Sequence, residues 1–378
     1  MAVFAAPTVS AAVPWLALYA KRAMRIALCV WLGISLSACA TTNYYGQAIS
    51  GHLQVLWQAQ AVSELLSDPA NKLSSEVRAK LAQALRIRAF AIEHLQLPDN
   101  GSYRSYADVG RRFVVWNVVA APEFSLLAKQ SCFLIAGCLS YRGFYAQAPA
   151  RAAAAELRSQ GYDVAVGGVR AYSTLGWFAD PILNTMLEPP PPYLAGVIFH
   201  ELAHQQLYID DDSSFNEAFA SAVQQLGVER WYARNAAGLN RAALRAQQAR
   251  RLAFSRLVLS YRQQLSELYA SGVQAGAMRA SKAAILDDMR AAYRTLSAGW
   301  DNPSAYAGFF DAGLNNARLA SAATYLELVP AFIQLARANN GNMRAFYAAA
   351  RTLGEQPRAV RAQALSHLLE AHRRGTFD

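Results

Sequence analysis

Apolar residues recur every three or four positions through most of this chain, the spacing that lines one face of an α-helix. The pattern runs through Tyr45–Leu66, Ser75–Leu95, Ala148–Ser159, Leu194–Tyr208, Phe215–Asn235, Ala242–Ala270, Met278–Ser297, Ala317–Ala338 and Met343–Leu353. Alanine, leucine, arginine and glutamine fill these stretches, and they lose little side-chain freedom on entering a helix. Strict alternation is rarer. Arg112–Ala120 alternates and is β-rich, Ser131–Leu139 follows it, and Asp163–Arg170 is a further short strand. The expected fold is therefore mainly α with a small β-sheet (α+β), the sheet packing on the helix around 194–208. Ser271–Gly276 separates two long helical runs, so 242–300 should form a helical hairpin, a sub-lobe of one larger domain. Pro189–Pro192 can be neither helix nor central strand and should be a stiff extended connector into the helix that follows.

The front of the chain has a different grammar. Lys21–Arg25 is basic, Ile26–Leu36 is apolar, and Leu36-Ser-Ala-Cys39 has the form of a lipobox. The apolar run is too short to span a bilayer convincingly. Residues 1–20 read as an upstream extension, with Met24 the expected initiator, and 1–38 as the removed segment. That leaves 39–378 as the mature domain, anchored through lipid on Cys39 at the periplasmic side of a bacterial envelope. Ala40 in the next position favours the outer membrane. Of the four cysteines, Cys29 departs with the signal and Cys39 carries lipid, so Cys132 and Cys138 remain as a pair expected to form a disulfide.

Removal of the first 38 residues lowers the net charge from +10 to +7. The surplus is spread at helical spacing, as in Arg241–Arg256, which fits solvated helix faces rather than a nucleic-acid tract. No nucleic-acid fingerprint is present. An anionic membrane surface or cell-wall polymer is the more reasonable electrostatic partner.

The chemistry concentrates at Phe199-His-Glu-Leu-Ala-His204. Four residues apart on a helix, His200 and His204 share a face and can bind one Zn²⁺, with Glu201 beside them as general base. The apolar run Tyr193–Phe199 implies burial, and buried imidazoles next to a buried carboxylate need a partner such as a metal. A third ligand is required. Glu217, in Asn216-Glu217-x-x-Ala220, is the expected one, in a pattern that resembles the third-ligand helix of gluzincin peptidases. Asp210 competes, six residues beyond His204, although Leu207 stands where a chain-turning glycine would be wanted. Glu217 follows His204 more closely than in that class, so the connecting loop must be tight.

Six stretches together resemble a bacterial family of predicted zinc aminopeptidase lipoproteins. They are Cys138–Tyr145, Gly161–Val164, Ala171–Pro181 (Ala-Tyr-Ser-Thr-Leu-Gly-Trp-Phe-Ala-Asp-Pro), Phe199–Gln205, Phe215–Ala220 and Asn315–Leu319. The resemblance implies a zincin-like core, Zn²⁺ held by His200, His204 and Glu217, Glu201 as base, and a peptide substrate. Val164–Tyr172 would then be the edge strand that pairs with the substrate backbone. Tyr172 is the expected oxyanion donor, in competition with Tyr208 and Tyr325. Arg318 would pair with a substrate carboxylate or with Glu327. No residue announces itself as the holder of a free α-amine; Glu188, Asp211 and Asp212 are merely nearby. An envelope endopeptidase and a non-catalytic binding lipoprotein remain the alternatives.

Overall fold

The computed structural model describes residues 44–133, 137–189, 191–235 and 240–375. The signal-type segment, Met24 and Cys39 lie outside the described residues. Two compact units divide the chain, 1–52 and 53–378. Of the first, the described part, 44–52, is helical and continues to residue 57 as α1.

In the second unit, β1 (Gln60–Ala61) and α2 (Val62–Ser67) interrupt what the periodicity of Tyr45–Leu66 suggests is one helix. The reason is tertiary: β1 pairs antiparallel with β2 (Ser105–Ala107), which pairs in parallel with β8 (Ile182–Leu183). Between them, α3 (Ser75–Leu95) occupies the segment that the sequence predicts. Ser74 caps its start by accepting from the Val77 N–H at 3.2 Å, and Gln96 ends it in the left-handed region.

A second sheet has the order β6 (Arg142–Phe144), β3 (Val115–Ala121), β7 (Asp163–Val169), with β3 antiparallel to both neighbours. It packs chiefly against α4 (Gln147–Ser159) and against α11 (Asn316–Thr324), not against the histidine-bearing helix as expected. β4 (Ser131–Phe133) and β5 (Gly137–Leu139) form a small hairpin closed by the Cys132–Cys138 disulfide.

The histidine-bearing helix is α6 (Pro191–Gln206), reached through the short α5 (Asn184–Leu187). Pro191 and Pro192 sit inside its first turn, so the proline run is not wholly an extended connector. A first turn has no N–H to lose, and the fixed φ of proline suits it. α7 (Ser213–Arg234) returns alongside α6, and α3 packs on both. Phe90, Phe199, Phe215, Phe219, Phe332 and Phe346 are buried in the shared core, where each apolar side chain contributes about 1.5–3 kcal/mol. Packing, more than capping, holds α6 in place.

The long hairpin α8 (Arg241–Ala270) and α9 (Ala275–Ser297) has its own core of Phe254, Val258, Leu265, Met289 and Tyr293. Leu319 of α11 joins this cluster, with Phe310 from α10 (Ala307–Asp311). Residues 316–338 are long and apolar enough to cross a membrane, yet they are two helices, α11 and α12 (Val329–Ala338), and half buried. α13 (Met343–Gly354) and α14 (Arg358–Arg374) complete the order.

Candidate metal centre

Close approach of α6 and α7 rests on Gly227 more than on Gly196, where a methyl group would meet the movable end of Gln224. A Cβ on Gly196 would lie 2.9 Å from Gln224 of α7, and one on Gly227 would lie 2.6 Å from the Phe199 ring and 2.8 Å from Leu95. The loop 207–212 between the helices is held by side chains of α7. Asn216 accepts from the Ile209 N–H at 2.8 Å and donates to the Ile209 carbonyl at 2.7 Å. Asp212 caps α7 by accepting from the Phe215 N–H at 3.0 Å, and Arg361 of α14 pairs with it at 2.7 Å. This clamp is the tight loop that the short His204-to-Glu217 spacing demands.

The result is a triangle of donor atoms. His200 Nε2 and His204 Nε2 are 3.2 Å apart, and Glu217 Oε2 is 3.2 Å from the first and 3.7 Å from the second. Donors about 2.0–2.1 Å from one tetrahedral ion are separated by about 3.3–3.4 Å, so one metal fits the three atoms with a fourth vertex left over. Among the described residues, His200, His204 and Glu217 are the group able to hold a metal, and Asp210 is not in it. Both rings turn Nε2 toward the common point, while Nδ1 of each is buried without a hydrogen-bond partner, so packing rather than a second hydrogen bond orients them.

Charge is distributed unevenly around that point. Burial raises the Glu201 carboxyl, and Glu217 raises it further, against the lowering pull of the two imidazoles. Burial acts the same way on Glu217, but His204 and His200 outweigh it and hold that carboxylate far below its usual range. His204 is depressed by burial and raised more strongly by Glu217, for a net upward shift. The site thus pairs one firmly ionised carboxylate with one that takes up a proton readily.

Of the three tyrosines considered from sequence, Tyr325 arrives at the centre. It ends α11, its ring centroid is 6.4 Å from that of His200, and it lies within electrostatic reach of the Glu217 carboxylate. That carboxylate, with burial, pushes the hydroxyl well above the usual tyrosine range. Tyr325 as a whole keeps 37 % exposure, so part of it meets solvent beside the ligands. Tyr172 instead packs edge-on against Tyr145, centroids 5.8 Å apart, and its hydroxyl is raised by burial and by Tyr145. Tyr208 is raised by burial, then by Asp210, Glu217 and Asp211.

Other sequence candidates have structural partners. Arg318 donates to the Gly313 and Ala312 carbonyls, while Glu327 faces Arg262 at 3.7 Å. Glu188 pairs with Arg170 at 2.7 Å, Asp211 accepts from the Cys138 N–H at 2.7 Å, and Asp212 is the cap described above. β7 lies at the edge of its sheet but ends at Val169, short of the expected 164–172, and its Val164 carbonyl is taken by Asn315 at 3.1 Å.

The residues that sequence reasoning passed over are Asp180, Gln205 and Tyr103. Asp180 is 2 % exposed, accepts from the Thr174 N–H and hydroxyl at 2.9 and 2.8 Å, and is pushed up to about 6 by burial and by Glu201, against the Thr174 bonds. Tyr103 is fully buried at φ +60°, its hydroxyl has no partner, and Glu201 and Asp180 add to the burial that raises it. A short polar residue within a helix-and-loop motif gives no periodic signal.

Comparison with curated proteins and with solved structures gives no match. Residues 43–365 match the model of a family described as "Putative aminopeptidase". The match runs through α6, α7, α11 and the donor triangle they carry, so this chain belongs to the aminopeptidase family of that description.

Proposed function

We propose that this protein is a zinc-dependent aminopeptidase with a zincin-like core, in which Glu201 moves the proton and Tyr325 steadies the reacting carbonyl oxygen. The observation that carries the proposal is the donor triangle of His200, His204 and Glu217 at 3.2–3.7 Å edges, with buried Glu201 on the same helix. Two imidazoles and a carboxylate with an open vertex are the donor set of catalytic zinc in hydrolases. When bound, the metal supplies Lewis acidity toward water and a peptide carbonyl.

The chain's own residues do the rest. Glu201, raised by burial, accepts the proton of the attacking water and delivers it to the departing amine. Glu217 stays ionised between the histidines and fixes their Nε2 atoms inward. Tyr325, rather than Tyr172, supplies the hydroxyl donor, because it is the tyrosine whose ring lies beside His200. The order of basic residues, apolar run and Leu36–Cys39 supports processing at Cys39 and lipid anchoring on the periplasmic side. Cys39→Ser should then move the protein from the membrane to the soluble fraction.

The direct test measures metal content and hydrolysis together, for the parent and Glu201→Gln, on free and N-acetylated peptides. Stoichiometric zinc in both, with cleavage by the parent alone and of free N-termini alone, is the expected result. Cleavage of blocked peptides would replace the aminopeptidase reading by an endopeptidase, and zinc without cleavage would leave a binding protein.

A further inference from the structure

Two aromatic side chains stand out in water beside the metal helix. Trp177 is 78 % exposed and Phe178 49 %, at the tip of the loop 173–181. Exposed tryptophan is uncommon on a surface with no partner to meet. This tip is not loose. Leu175 and Gly176 turn it through the left-handed region at φ +56° and +85°, and the Trp177 N–H donates to the Thr174 carbonyl at 3.0 Å. Asp180 closes the loop from beneath through both bonds from Thr174.

The base of the loop is pinned twice more. The Tyr103 N–H donates to the Asp180 carbonyl at 2.7 Å, and the Asp180 N–H to Ser102 Oγ at 3.2 Å. Arg88 of α3 holds that platform through the Ser102 carbonyl at 2.8 Å. A left-handed non-glycine residue persists only where its surroundings over-determine it, and Leu175 and Tyr103 are two in one assembly.

The loop faces a defined side of the centre. Gln205 donates toward Asp180 at 3.5 Å and to Ser102 Oγ at 3.2 Å, and accepts from Asn100 at 2.6 Å; Gly176 lies against its side chain. Gln205 is four residues after Glu201, so both project from one face of α6, about a quarter-turn from the histidine face. Resting on the proposed reaction, Glu201 is the group that meets the amine leaving the cleaved bond. The loop that carries the aromatic tip therefore lies along the Glu201 side of α6.

We propose that Trp177, with Phe178, forms an apolar docking edge for the side chain that follows the cleaved peptide bond, and so sets a preference for large apolar residues there. Rigid aromatics with few rotatable bonds give contact area at low entropic cost, which suits an edge of this kind.

The test compares Trp177→Ala, Phe178→Ala and Trp177→Phe with the parent on two peptide series, one with Leu or Phe after the cleaved bond and one with Gly. Trp177→Ala should raise KM roughly tenfold on the apolar series with kcat unchanged, leave the glycine series alone, and be restored largely by Trp177→Phe. An equal effect on both series, or none on the apolar one, overturns the proposal. So does loss of binding to anionic lipid vesicles in Trp177→Ala with peptide kinetics intact, which would make the tip a membrane contact. If the parent hydrolyses nothing, tryptophan emission of Glu201→Gln titrated with an apolar peptide separates the two ideas. A quench absent in Glu201→Gln/Trp177→Phe keeps the docking edge while the peptidase reading fails, and no quench removes the edge itself.

Discussion

Glu201 and Glu217 are buried on facing helices, yet their carboxyl groups shift in opposite directions. The difference is partnership: Glu217 sits between two imidazoles that overcome its burial, whereas for Glu201 burial and the charge of Glu217 prevail. A second consequence concerns Tyr325. If its hydroxyl serves the carbonyl oxygen, Tyr325→Phe should lower kcat by about 10²–10³ while metal content stays stoichiometric, as for loss of one oxyanion donor. Tyr172→Phe should stay near the parent, and the reverse ranking would return the role to Tyr172. Asp180 gives a pH prediction. Its folded value of about 6 lies above the ordinary 3.8, so between them the folded chain holds a proton that the unfolded chain has released. Stability tied to that proton is full below about pH 4 and is lost as pH rises through about 6, a change of about 2–4 kcal/mol. Urea unfolding of chelated protein at pH 4 and 7 should show the parent losing that much relative to Asp180→Asn; a constant difference would mean Asp180 titrates normally. His200, Glu201 and His204 were legible in sequence because a helix fixes their spacing. Tyr325 was only one of three, because its arrival depends on where α11 stops and what α11 packs against.

At the scale of elements, legibility followed periodicity and failed where tertiary pairing intervened. The segment Ser75–Leu95 was readable from end to end because it carries both an N-cap serine and a long apolar stripe. Tyr45–Leu66 read as one helix because β1 exists only through its pairing with β2, which no local pattern records. Ala317–Ala338 read as one helix although Pro330, in the first turn of α12, marks a new start. α14 was missed because its stripe is short, with Leu365, Leu368 and Leu369 packing on the core beside the buried Arg361 in an otherwise polar segment. The joint between α6 and α7 supports a prediction of its own. Phe199 is fully buried with Leu95 on the other side, so neither can yield to a methyl group on Gly227. Alanine favours a helix by about 1 kcal/mol over glycine, while overpacking costs about 1–3 kcal/mol. Gly227→Ala should therefore be neutral to destabilising by about 2 kcal/mol in denaturant titration, with weaker metal binding as the donor triangle widens. A stabilised variant with unchanged metal affinity would show that the helices can part without cost.

Across the whole molecule, the hairpin α8–α9, the sheet and the metal helices are joined through Asn316. It is fully buried at the start of α11, its side-chain amide donates to the Pro122 and Glu123 carbonyls at 3.1 and 2.8 Å, and its oxygen accepts from Tyr269 of α8 at 2.8 Å. Its N–H donates to Asp163 of β7 at 2.9 Å, and Asp163 also receives Lys282 of α9 at 2.7 Å. The groups of Asn316 thus reach the segment after β3, β7 and α8, and α11 carries that fixed start through to Tyr325 at its other end. Asn316→Ala removes three side-chain bonds and leaves two carbonyls and a tyrosine hydroxyl to find new partners. Unpaired buried polar groups cost about 1–3 kcal/mol each, with partial recovery by water, so a loss of about 3 kcal/mol in unfolding free energy is expected. His200, His204 and Glu217 are held by a separate clamp at Asn216, so zinc content should survive. Hydrolysis should fall with kcat rather than KM, because Tyr325 loses its fixed position while the metal keeps its ligands. Parental kcat in a variant destabilised to that extent would mean that the junction supports the fold without reaching the site.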